Sequence, residues 1–206
     1  HDLRTRVDRH GIEITSRTSA RSLGVTGWVL SLGLIAVGRE GDMVPADQGI
    51  PSAVAERVEI QHGTVREWYL NDERGLEQGF VIDQPPDGDA ALSPLILEMT
   101  MDGLRAIASE DGLSAQFFAP GNVPVLRYTG LTVTDAAGKV VPARLALRPG
   151  RLRIVVDDEN AAYPIDVDPL FVDSAWSTRN AGLIQINGYL GESAATAGDV
   201  NGDGYS

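Results

Sequence analysis

The chain contains no cysteine. That excludes disulfide scaffolds, thiol nucleophiles and cysteine-ligated zinc or iron–sulfur sites, although it leaves export open, since many secreted bacterial proteins carry no disulfides. Positive charge is in short supply: 17 Lys and Arg face 29 Asp and Glu, for a formal net charge of −12. Such acidity argues against nucleic acid or an anionic membrane as partner and suits a surface protein or one that lives with divalent cations. Long apolar runs are missing as well. The longest, Trp28 to Gly38, is too short to span a bilayer and is interrupted by Ser31 and Gly33. It also lies too far inside the chain for a signal-peptide core, so it is expected to be a buried strand. No G-x-S-x-G, G-x-G-x-x-G or phosphate-binding loop occurs.

What is present is a succession of short alternating runs punctuated by Gly, Pro, Asp and Asn. Twelve segments, beginning at Gly11, Trp28, Glu56, Thr64, Gly75, Pro94, Leu104, Leu113, Val125, Val140, Arg151 and Tyr163, have the period of two that strands require. Between Leu145 and Ile154, Pro149 and Gly150 sit centrally in a four-residue turn. Leu145, Leu147, Leu152 and Ile154 repeat at period two on either side, which predicts a tight hairpin. Only the stretch from Pro51 to Val58 reads as helix, for two turns at most. The expected fold class is all-β, an antiparallel sandwich or barrel-like domain over residues 1–172. The proline-rich stretch from Asp83 to Pro94 is a long exposed loop and a candidate seam between two halves of the sheet. Residues 173–187 read as a linker.

The C-terminal "AGDVNGDGYS" has oxygen-bearing residues at alternate positions. Asp199, Asn201 and Asp203 fall at positions one, three and five of a calcium loop, Gly204 takes the sharp turn, and the backbone carbonyl of Tyr205 falls at position seven. A turn without metal is the competing reading of the same residues. Two carboxylates, one amide and one carbonyl form a partial cage, so Ca²⁺ is expected to bind at about millimolar strength or weaker. With its small-residue flank from Gly191, this stretch resembles the start of an FG-GAP repeat, the blade unit of integrin-α-like β-propellers; the closing Asp and the exit strand of that pattern are absent from this sequence. Upstream, "EWYLNDERGLEQGFVI", "VLRYTGLTVTDAAGKVVPARLAL" and "LRIVVDDENAAYPIDVDPL" are similar, in that order, to the N-terminal β-rich region of large secreted bacterial FG-GAP repeat proteins. The resemblance implies a β-rich module ahead of surface-exposed repeats, with residues 188–206 an incomplete repeat, and it implies no catalytic residues. A blade does not bury its faces alone, so the simplest account makes the chain a piece of a longer one, its signal removed before His1.

The function expected from these readings is a non-enzymatic, extracellular, structural or adhesive module with a calcium-binding repeat. Its C-terminal strand, with the apolar-alternating "GLIQING", is expected to pair with exposed strands of other copies and so to build a surface fibre. The rival is a carbohydrate-binding or carbohydrate-active sandwich that takes surface glycans, with Glu73 and Glu77 as paired carboxylates and Trp28, Trp68 and Trp176 as a stacking platform. Core packing is the preferred role for Trp28 and Trp68, and a solvated hairpin anchored to the core by Trp68 is preferred for the carboxylates. Asp166 and Asp168, two apart on one strand face, are weaker metal candidates. His1, with His10 or His62 as a second ligand, would suit a copper site of the polysaccharide-oxygenase kind, but the downstream residues follow the repeat-protein pattern. The acidic run Asp157 to Asn160 reads as a solvated turn.

Overall fold

The structure is a computed structural model that describes residues 3–16, 27–55, 57–72 and 75–173. Strands come in the order β1 (Leu3–Asp8), β2 (Gly11–Ser16), β3 (Val29–Arg39), β4 (Asp42–Pro45), β5 (Ser52–Val54), β6 (Arg57–His62), β7 (Val65–Asn71) and β8 (Leu76–Ile82). They continue as β9 (Leu95–Asp102), β10 (Arg105–Ala108), β11 (Ala115–Ala119), β12 (Val123–Thr134), β13 (Ala143–Arg148), β14 (Arg151–Val156) and β15 (Ile165–Asp173). All pairings are antiparallel, and the strands form two open sheets of a β-sandwich. One is 7-stranded, in the order β1-β2-β3-β9-β14-β13 with β4 added beside the C-terminal half of β3; the other is 8-stranded, in the order β10-β11-β12-β15-β8-β7-β6-β5.

A single apolar core lies between the sheets. Ile12, Leu32, Leu97, Met99 and Ile154 come to it from the 7-stranded sheet, and Ile60, Phe80, Leu126, Tyr128 and Phe171 from the other. Each of the alternating runs read from the sequence contains a strand, and the apolar run after Trp28 is β3, the central strand of its sheet. The hairpin at Pro149 is also as read: Arg148 pairs with Arg151, Leu145 with Ile154, and Gly150 has φ +67°. That is the left-handed conformation a glycine adopts without steric cost. The short helix at Pro51 is not formed. Ser52–Val54 is the exposed edge strand β5, paired with β6, because an extended edge satisfies its backbone on a neighbour where two isolated helical turns would not hold.

The strand register slips in three places, between β11 and β12, β12 and β15, and β3 and β9. The last two show how a bulge decides which side chains face the core. In β3, Leu34 pairs with Met99 and Ala36 with Glu98, so one residue is extra. Side-chain alternation then slips by one: Leu30, Leu32 and Leu34 are buried before the slip, and Arg39 is buried after it. In β12 the slip falls between Thr129 and Thr132, around Gly130 with φ +69°. It moves burial from Leu126 and Tyr128 to Leu131 and Val133.

The chain passes between the sheets in residues 46–51, 83–94, 103–104, 135–142 and 157–164. The 83–94 stretch, expected as a seam, connects β8 of one sheet to β9 of the other across the shared core.

Candidate functional site

The 8-stranded sheet turns a polar cluster into the core. Glu67 and Tyr69 of β7 stand on the inner face with Val65, opposite Phe80, Gln78 and Ile82 of β8. Tyr69 donates its hydroxyl proton to Glu67 Oε1 at 2.5 Å, and Gln78 Nε2 donates to the same oxygen at 2.8 Å. Tyr128 of β12, stacked on Phe171, donates to Gln78 Oε1 at 2.7 Å. Burial, reinforced by the charge of Glu67, pushes both tyrosines well above their ordinary range. They are neutral donors.

His62, the last residue of β6, joins this cluster to the surface. Its Nε2 is 2.9 Å from Glu67 Oε2 and its Nδ1 is 2.5 Å from the carbonyl oxygen of Asp47. A carbonyl accepts and does not donate, so Nδ1 carries a proton in this geometry, and the other Glu67 oxygen already accepts from two donors. In its imidazolium form His62 donates from both ring nitrogens, to Glu67 and to the Asp47 carbonyl. Burial pulls its pKa down, but the hydrogen bond to Glu67, the Asp47 carbonyl and the neighbouring negative charge outweigh burial and hold it above the ordinary 6.5.

Beside His62 lies a cleft of about 380 Å³ walled by Val37, Val44, Pro45, Val65, Ile82 and Pro85, with Asp47 and Asp87 among its polar lining. Its size is within the range of small-ligand sites. His62 in its lining, however, has both ring nitrogens occupied by partners inside the protein.

A second buried cluster clamps two crossovers. The guanidinium of Arg39 makes a bidentate pair with Asp158, with both bonds at 2.9 Å, and also donates to the Ser93 carbonyl at 2.6 Å. Asp158 further accepts from the Leu95 amide at 3.0 Å and the Tyr163 hydroxyl at 2.6 Å. Burial pushes Asp158 up, but the bonds from Arg39 and Tyr163 and the Arg39 charge hold the carboxyl below its ordinary value. The 135–142 crossover has a similar pin: Asp135 accepts from the amides of Ala137, Lys139 and Ala162.

These placements revise several expectations. Asp158 is not part of a solvated acidic turn; it is buried against an arginine on a distant strand. Trp28 is in the core. Trp68, expected to anchor the core, is on the opposite face, because Glu67 and Tyr69 take the inward positions. It is nonetheless buried, with Arg57 4.7 Å above its ring and its indole lying directly on Gly79. That leaves no open aromatic face for stacking a sugar. Glu77 is a buried residue of β8, and Glu73 lies outside the described residues. Ile165 and Val167 are buried and Asp166 and Asp168 exposed, the alternation read from the sequence. Among the described residues no group of three or more His, Asp or Glu is placed to hold a metal, and no helix is long and apolar enough to cross a membrane. His1, Trp176, the calcium-loop residues Asp199, Asn201, Asp203 and Tyr205, and the tail strand all lie outside the described residues.

The buried polar cluster went unread in the sequence although half of its signal was there. Gln78 sits between Leu76 and Phe80 at period two, the position of a core residue, and Glu67 shares parity with Val65 and Tyr69. Arg39 gave no such signal, since the β3 bulge reverses the parity on which pattern reading rests. A scan of the chain against protein families finds no match, and a search of curated proteins finds none either.

Proposed function

We propose that this chain is a non-catalytic structural module of an exported bacterial FG-GAP-type repeat protein, a rigid sandwich that leads into calcium-stabilised repeats. One observation carries the reading: the buried ionisable groups His62, Glu67, Arg39 and Asp158 are bonded within the fold, and through His62 and Arg39 they reach the crossovers at Asp47, Ser93 and Asp158. A general base needs a free lone pair within reach of a substrate proton, and in this structure both His62 nitrogens are engaged, by Glu67 and by the Asp47 carbonyl. A buried charge that fixes a connection is instead what a scaffold carrying load between neighbours requires. The tail motifs add the direction of that load, toward a repeat in which Ca²⁺ would stiffen the loop at Asp199, Asn201, Asp203 and the Tyr205 carbonyl.

The test is a Ca²⁺ titration of the 206-residue chain by calorimetry, against Asp199→Ala. Binding at about millimolar strength that disappears in the variant supports the repeat assignment; equal binding in both rejects the loop as the site. Self-assembly is tested by sedimentation of the whole chain beside one ending at Asn180. Equal association of the two would reject pairing through the tail.

A further inference from the structure

Residues 46–51 form a strap from the edge of one sheet to the edge of the other, and its attachment is thin. At one end the Ala46 amide donates to the Ile35 carbonyl at 2.9 Å. At the other, Gly49 is pressed so closely on β6 that a β-carbon there would lie 2.2 Å from the Gln61 carbonyl oxygen. Between these points, the bond from His62 Nδ1 to the Asp47 carbonyl is the one hydrogen bond that residues 47–51 make among the described residues. The strap contributes Ala46 and Asp47, next to Pro45 of β4, to one wall of the cleft.

We propose that His62 is a proton-operated latch: as imidazolium it ties the strap to the Glu67 cluster, and when it loses a proton the strap comes free and the cleft opens on that side. The logic is a count of protons. An imidazolium has two N–H groups for two acceptors, the Asp47 carbonyl and the Glu67 carboxylate. A neutral ring has one. The carboxylate bond is charge-assisted and the stronger of the two, so the remaining proton stays on Nε2. Nδ1 then meets the Asp47 carbonyl lone pair to lone pair, and the strap's attachment becomes a repulsion.

The groups facing His62 explain why the closed, charged form of the latch is favoured. Strand β7 presents Glu67 and, behind it, Tyr69; β8 presents Gln78, which relays to Tyr128 of β12; the strap presents Asp47, and the 83–94 crossover presents Asp87 across the cleft. Strands β3 and β4 present Val37 and Val44, and no Lys or Arg lines the cleft among the described residues. The surroundings are anionic or neutral, and they favour the charged ring. Since the folded pKa is raised, the tie is complete below about 6.5 and is lost as pH rises through the folded value.

The test is NMR on the whole chain over a pH series. The ¹⁵N shifts of the His62 ring report its protonation, and the Asp47–Gly49 backbone shifts and Ala46 amide exchange, corrected for the intrinsic rate, report the strap. We expect both to change with one midpoint above 6.5, with Ala46 protection falling at least tenfold and the Leu97 amide of β9 unchanged. Glu67→Gln removes the anion and should move both midpoints down together, while His62→Gln should abolish the pH dependence of the strap. A strap indifferent to His62 titration, or strap and ring midpoints that separate in Glu67→Gln, would overturn the proposal. Should either variant fail to fold, coincidence or separation of the midpoints in the native chain still decides.

Discussion

Replacing Asp158 by alanine tests the structural account where it is most exposed to failure. The carboxylate takes both bonds of the Arg39 fork, the Tyr163 hydroxyl and the Leu95 amide. Arg39 remains buried in the variant and is left with one acceptor, the Ser93 carbonyl. Its Nε already has no partner. Breaking a buried pair by deleting one member costs about 3–5 kcal/mol, chiefly from the stranded charge. For a domain of this size that is a fall of about 6–20 °C in Tm.

The decisive comparison is the double variant Asp158→Ala/Arg39→Met, followed by urea unfolding at pH 7. Removing the stranded charge should recover about 1–3 kcal/mol of the loss, the remainder staying with the Tyr163 hydroxyl and Leu95 amide, which still lack their acceptor. The native chain should also lose stability as pH falls. A carboxyl held below its ordinary 3.8 contributes fully above that value, and the contribution vanishes as pH drops through the folded pKa. That component should be missing from Asp158→Ala. A single variant costing less than about 1 kcal/mol, or a double variant no better than the single, would refute the view that the pair holds the crossovers.

Other outcomes follow from the same geometry. Gly79→Ala places a β-carbon 2.0 Å from the Trp68 indole; it should displace the ring, shift tryptophan fluorescence toward longer wavelength and cost about 1–3 kcal/mol. Gln78→Leu leaves the Tyr128 hydroxyl without its acceptor and takes one donor from Glu67; chemical unfolding should register a loss of about 1–3 kcal/mol. Asp166→Ala and Asp168→Ala, on the exposed face of β15, should leave any Ca²⁺ response of the chain unchanged, which calorimetry would check.

Much of the fold was legible because one sheet face is buried and strands of period two announce it. Leu145, Leu147, Leu152 and Ile154 around a Pro–Gly turn leave little choice of register. The edge strand β5 was not legible: Ser52–Val54 is exposed throughout, so no apolar alternation marks it. Trp68 misled for a related reason. A large aromatic beside a carboxylate reads as the buried partner, yet Glu67 goes inward because Tyr69, Gln78 and His62 supply its hydrogen bonds, and Trp68 is buried outside by Arg57 and Gly79.

By itself the sequence determined the class of fold, the turn at Pro149, the acidity of the chain and the absence of thiol chemistry, since each depends on residue type and local order. Tertiary structure alone decided the role of the buried charges. Arg39 and Asp158 are far apart in the chain, and they meet because one extra residue in β3 turns Arg39 inward and a crossover carries Asp158 to it. Burial and partnership are properties of places in the fold, and chain-local patterns do not encode which distant residues come to share one.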